Sequence, residues 1–301
     1  MPRTASTPRR SRFLRVVAAF AVLVALAGYL AVQYLSGYKG APRCTVGSSD
    51  GGEGRTYELS PEQAANAATI SAVGMTRGLP ERAVTIALAT AMQESALRNI
   101  DHGDRDSLGL FQQRPSQGWG TTEQIMDPVY SSGEFYEHLA EVPGYSRLPL
   151  TVAAQRVQKS GFPQAYAKHE PDATLLSAAL TGRAPASMTC SLSTGKGAEA
   201  AAPGDAAEVR ADLVRAFGKG VLPSAKSAGA ASASTVSVPV RSEDEATSRR
   251  GWELAHWAVA RAGTLRIEEV SYDGRIWTSD TGWRTERGES ATDTVRMRLA
   301  Q

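Results

Sequence analysis

The chain has 301 residues, 42% of them hydrophobic and 21% charged, with 33 basic side chains against 31 acidic ones. That is ordinary globular material, long enough for one substantial core and a small companion unit. Five arginines, Arg3, Arg9, Arg10, Arg12 and Arg15, fall in the first fifteen residues with no acid among them, so the remaining 28 basic residues face all 31 acids and the rest of the chain is mildly acidic. No basic patch stands out, which speaks against a nucleic-acid partner.

After the basic tail over 1–15, residues 16–38 carry no charge, and roughly 20 apolar residues suffice to cross a bilayer. Tyr29, Gln33, Tyr34 and Tyr38 gather at the far end of this run, where an aromatic belt belongs. The arginine asymmetry predicts a single-pass anchor in the cytoplasmic membrane, with the N-terminus in the cytoplasm and the bulk of the chain extracytoplasmic; the alternative, a cleaved signal peptide, has a shorter apolar region and a small-x-small cleavage site. No second run of this length follows, so a transporter is excluded.

A Gly/Ser spacer over 39–59 includes Gly47–Gly54. Ser60-Pro61-Glu62-Gln63 then reads as a helix start, with Ser60 as N-cap, Pro61 at the first position and Gln63 at the third. Further helices are expected over Pro80–Arg98 with Asn99 capping the end, over Pro128–Ala140 after the cap Asp127, over Val152–Lys159 after Thr151, and from Pro163 to about Leu180. Between Arg98 and Thr122 repeated Gly and Pro predict irregular loop. Residues 191–248 read as an Ala/Ser/Gly-rich linker with one helix near Glu208–Phe217. Residues 249–301 predict a small α+β unit: a helix from Trp252 to Ala262, a hairpin over Ile267–Thr278 turning at Asp273-Gly274, and a third strand near Val295–Leu299.

Cys44 and Cys190 are the only cysteines and flank the main domain, 60–190. An even count in an exported chain predicts a disulfide, with the two Cα atoms within about 7 Å.

Catalytic chemistry is concentrated at Glu94. The helix around it is apolar on every face from Ala83 to Met92, which marks a core helix, and its last turn becomes polar at Gln93-Glu94-Ser95. Burial and the negative pole of the helix both raise the pKa of a carboxyl there. Glycosidic cleavage asks this of its general acid. Downstream lie Gly109, Phe111 and Gln112, then Trp119 between two glycines. Glycine lets a ligand approach the backbone, the amide can both donate to and accept from sugar hydroxyls, and the indole can stack on a pyranose ring.

Gln93-Glu94-Ser95, followed by Gly109-Leu110-Phe111-Gln112 and Pro115, resembles the Glu-Ser and Gly-Leu-Met-Gln signatures of the soluble lytic transglycosylases and goose-type lysozymes. The run from Ser107 to Gly120 is also similar to a set of anchored bacterial proteins. The resemblance covers roughly 60–182. It implies a mainly α, lysozyme-like domain acting on peptidoglycan glycan strands at the β-1,4 bond between N-acetylmuramic acid and N-acetylglucosamine, with Glu94 as acid and then base. Ser95, Gly109, Phe111, Gln112 and Trp119 would bind substrate. The family's third motif, Ala-Tyr-Asn, supplies a tyrosine to the catalytic Glu; here the corresponding stretch reads Val157-Gln158-Lys159-Ser160-Gly161-Phe162-Pro163, which leaves Gln158 or Tyr166 as substitutes. That departure keeps open a second function, a catalytically silent wall-binding or assembly module.

No cofactor or metal is expected. Asp101, Asp104 and Asp106 lack the alternating spacing of an EF-hand loop, and His102, His138, His169 and His256 have no metal-ligand spacing. Of Trp252, Trp257, Trp277 and Trp283, some must form the core of so small a unit, with a sugar-binding face as the competing role.

Overall fold

The computed structural model describes residues 9–35, 41–48, 54–162, 164–192, 203–222, 234–240, 245–285 and 293–301. Helix α1 spans Arg9–Leu35 and belongs to a unit of its own, Met1–Ala41. The membrane expectation is corrected here: among the described residues, no helix is long and apolar enough to cross a membrane. The single-pass anchor over 16–38, and the membrane and extracytoplasmic placement built on it, are withdrawn. Residues 36–38 of that run lie outside the described residues, as do 49–53 of the spacer and 193–202, 223–233 and 241–244 of the linker.

Residues 42–301 form the second unit. Its first strands, β1 (Arg43–Gly47) and β2 (Thr56–Leu59), pair antiparallel. Helix α2 (Pro61–Thr76) starts as its chemistry dictates: Ser60 accepts from Gln63 N while the Gln63 side chain accepts from Ser60 N, a reciprocal capping box. Helix α3 (Glu81–Ser95) is buried along Ala83–Met92. The short α4 (Thr122–Ile125) precedes α5 (Pro128–Ala140), which Asp127 caps by accepting from Val129 N. Helix α6 (Leu150–Gln158) begins two residues before the expected start, after Pro149, so Thr151 lies inside it. Helix α7 (Glu170–Leu180) follows a 3-10 turn at Ala167–His169 and packs along α3.

Strand β3 (Met188–Ser191) pairs with β1 in the register Cys44↔Cys190, completing a three-stranded sheet in the order β2-β1-β3. The predicted disulfide is present: Cys44 and Cys190 are bonded, with Cα atoms 3.9 Å apart.

The expectation of a mainly α domain with a separate small α+β unit is also corrected. Helix α8 (Ala206–Phe217) leads to β4 (Thr235–Pro239), α9 (Glu245–Leu265), β5 (Ile267–Tyr272), β6 (Arg275–Thr278), β7 (Gly282–Thr285) and β8 (Thr294–Leu299). The strands form a five-stranded antiparallel sheet ordered β4-β8-β5-β6-β7. The hairpin turns at Asp273 and Gly274, both with positive φ (52° and 65°), as a type I′ turn requires. This part does not stand apart. Helix α9 packs on α2, and two indoles tie the sheet to β3: Trp277 Nε1 donates to Thr189 Oγ1 at 2.9 Å and Trp283 Nε1 to Met188 O at 2.7 Å. Trp252, Trp257 and Trp277 are fully buried, so the tryptophans serve the core rather than an exposed sugar face.

His256 sits on α9, fully buried, its Nδ1–H donating to Ala179 O at 2.7 Å. Burial pushes its pKa down to about 4. The unfolded chain takes up this proton near pH 6.5 and the folded chain does not until about pH 4, so this contribution is whole above 6.5 and is lost as pH falls through that window, by about 3 kcal/mol. His256→Phe cannot titrate. Subtracting the variant's denaturant-derived stability from that of the parent at each pH should give a curve that falls between pH 6.5 and 4; a flat difference would contradict the neutral, buried imidazole.

Candidate functional site

Helix α3 delivers Glu94 to the site by ending abruptly beside it. Ala96 and Leu97 both take left-handed conformations, at φ 53° and 59°, which costs a non-glycine residue about 1–2 kcal/mol. Burial of Leu97 and the bond from its N–H to Ala91 O hold the turn. The cap is therefore Ala96 and not Asn99, whose Nδ2 donates to Met126 O at 2.7 Å.

Glu94 opens into a cleft of about 820 Å³ that Gln112, Trp119 and Gln158 also line. Desolvation raises the Glu94 pKa, opposed by hydrogen bonds from Tyr166 and Gln158 that favour the charged form. The Tyr166 hydroxyl donates to Glu94 Oε1 at 2.7 Å. Burial and the adjacent carboxyl push the Tyr166 pKa up as well, so this phenol keeps its proton and remains a donor. Gln158 is fixed by Nε2 donating to Phe111 O at 2.8 Å. The tyrosine absent from the Ala-Tyr-Asn position thus has a spatial counterpart, a buried phenol arriving from the segment between α6 and α7.

Three of the expected substrate-binding residues lie elsewhere. Ser95 is buried, donating to Ala91 O and Leu110 O and so tying the helix end to the loop. Phe111 is fully buried and stacked on Phe135 with ring centroids 4.6 Å apart. Gly109 has φ 74°, and a Cβ there would come within 2.8 Å of Ile125 O; its glycine serves close chain packing, not ligand approach. Gln112 does line the cleft, its Nε2 donating to His102 O at 3.3 Å. Trp119 is partly covered by His138, ring centroids 4.3 Å apart.

The acids flanking the loop have separate fates. Asp106 accepts from Ser116 N and Arg114 Nε, and these bonds hold its pKa well below the usual carboxylate range. Asp101 pairs with His102. Asp104 and Glu141 line the cleft. Sequence reasoning missed Gln113, Glu141, Arg156, Lys159 and Phe162, which also line it. None of these carried a signal in the sequence; the exposure of Phe162, 78%, is visible only in the fold.

Tyr166→Phe removes the donor to Glu94 without adding volume. If the pair acts together in turnover, cleavage should fall by about tenfold, from loss of a hydrogen bond to a charged group. The alkaline limb of the pH–rate profile should also move to higher pH, because that bond lowers the Glu94 pKa. An unmoved limb would separate Tyr166 from Glu94.

The family pattern described as VldE, C-terminal domain, matches residues 205–295. That segment runs from the cap of α8 into β8, under half of the chain, and contains none of the cleft residues. No curated protein matches the chain.

Proposed function

We propose that this protein cleaves the β-1,4 bond between N-acetylmuramic acid and N-acetylglucosamine in peptidoglycan, with Glu94 as the general acid. One observation carries the reading: a carboxyl at the wall of a large cleft, its pKa raised by desolvation and its orientation fixed by the Tyr166 hydroxyl. The resemblance of residues 60–182 to lytic transglycosylases and goose-type lysozymes supports it independently of that geometry.

In this mechanism protonated Glu94 gives its proton to the glycosidic oxygen, and the bond breaks toward an oxocarbenium-like muramoyl centre. The Glu94 carboxylate then takes the proton of the muramoyl 6-hydroxyl as that oxygen attacks the anomeric carbon. A 1,6-anhydro end results, and Glu94 is restored to its acid form. Tyr166 holds the carboxyl throughout, donating more strongly to the charged form that arises mid-reaction.

Incubation of the protein with purified peptidoglycan sacculi tests the reading. Soluble muropeptides should be released into the supernatant. Sedimentation with the sacculi and no release would instead assign a silent binding module.

A further inference from the structure

More basic than acidic side chains line the cleft: Arg105, Arg114, Arg156 and Lys159 against Glu94, Asp104 and Glu141. Three ion pairs involve its residues: Arg105 with Asp104, Arg114 with Asp106, and His138 with Glu141. That leaves Arg156 and Lys159, both exposed, as lining cations with no ion-pair partner among the described residues. They flank Gln158, the residue beside Glu94. Lys159 is the C-cap of α6 with φ 52° and ψ 36°, where glycine or asparagine is usual, so a long cationic side chain occupies a position whose backbone disfavours it. The turn is fixed on both sides: Lys159 N donates to Gln155 O at 2.8 Å, Gln155 Nε2 to Ser160 O at 2.7 Å, and Gln158 Nε2 to Phe111 O at 2.8 Å.

We infer that Arg156 and Lys159 bind a carboxylate carried on the O3 substituent of the sugar ring next to Glu94, which selects acid-bearing glycans over neutral N-acetylglucosamine polymers. The inference rests on the proposed cleavage, since that reaction places a muramoyl ring, the one with a lactyl ether at O3, beside the acid. Its carboxylate comes either from the lactyl group itself or from the stem peptide attached there. A guanidinium and an ammonium on a pinned turn suit such a group, one bidentately and the other as a point charge.

Calorimetric titration of the Glu94→Gln protein, which holds glycans without turnover, tests this with four ligands of equal length: a neutral chitooligosaccharide, peptide-free muroglycan with free lactyl carboxylates, the same muroglycan with its lactyl groups amidated, and muroglycan bearing stem peptides. At least one acid-bearing muroglycan should bind about tenfold or more tightly than the two neutral ligands. Adding Arg156→Gln and Lys159→Gln should bring all four to similar affinity with unchanged thermal unfolding. Whichever acid-bearing ligand shows the advantage before those substitutions identifies the source of the carboxylate. Equal binding of all four before those substitutions, or a preference that survives them, overturns the inference and leaves the cleavage reading intact. Failure of all four to bind overturns both.

Discussion

Glu94→Gln is expected to reduce release of soluble muropeptides by about 10²- to 10⁴-fold, the range that general acid catalysis contributes. Glutamine keeps the shape and can still accept from Tyr166, but it has no proton to give the leaving oxygen. Stability should move the other way. The folded protein raises the Glu94 pKa, so it holds this proton more tightly than the unfolded chain does. That contribution is whole below the ordinary carboxyl range and is lost as pH rises through the raised value. The variant should therefore gain on the parent as pH increases across that window, while matching it in wall binding. A variant digesting sacculi at the parent rate would remove Glu94 from the chemistry.

Breaking the Cys44–Cys190 bond should give the largest change in stability. The link closes a loop of 146 residues, which in the chain-entropy model contributes about 5 kcal/mol, against measured values more often 2 to 4. It also joins directly paired positions of β1 and β3, so its loss frees the strand that receives the Trp277 and Trp283 hydrogen bonds. Cys44→Ser with Cys190→Ser should lower the urea midpoint accordingly and loosen α9 and the five-stranded sheet together. Unchanged midpoints under reducing and oxidising conditions would contradict this.

Features written in local chemistry were legible from the sequence. The Ser60-Gln63 capping box, the Asp127 cap, the Asp273-Gly274 turn and the uniformly apolar stretch before Glu94 each fix their element through neighbours a few residues away, and each is present. Non-local pairings were not legible. β1 is a five-residue strand that gains its partners from β2 and, across 146 residues, from β3. β4 lies in a segment whose composition reads as linker, and only pairing with β8 makes it a strand. Trp277 and Trp283 needed polar partners on β3, and that requirement merges what looked like a separate unit with the rest.

The site divides in the same way. The Glu94 position followed from the helix pattern, whereas Gly109 and Phe111, chosen as ligand contacts, are consumed by packing against Ile125 and Phe135. Arg156 and Lys159 gave no signal, since a charged pair near a helix end ordinarily reads as a solvated face. The apolar run at the N-terminus reads as a span on its length, its lack of charge, its aromatic end and the arginines before it, yet among the described residues no helix meets the length and apolarity of a membrane span.

Protonation of the leaving oxygen by Glu94, followed by attack of the muramoyl 6-hydroxyl on the anomeric carbon, would leave a mark on the product. Mass spectrometry of the muropeptides released by the unmodified protein reads it directly. Muramoyl ends lighter by one water than those of a hydrolytic digest are expected, and they should be absent from a Glu94→Gln digest. Reducing ends alone would contradict the internal attack and point to hydrolysis, and anhydro ends persisting in the Glu94→Gln digest would contradict the assignment of the acid itself.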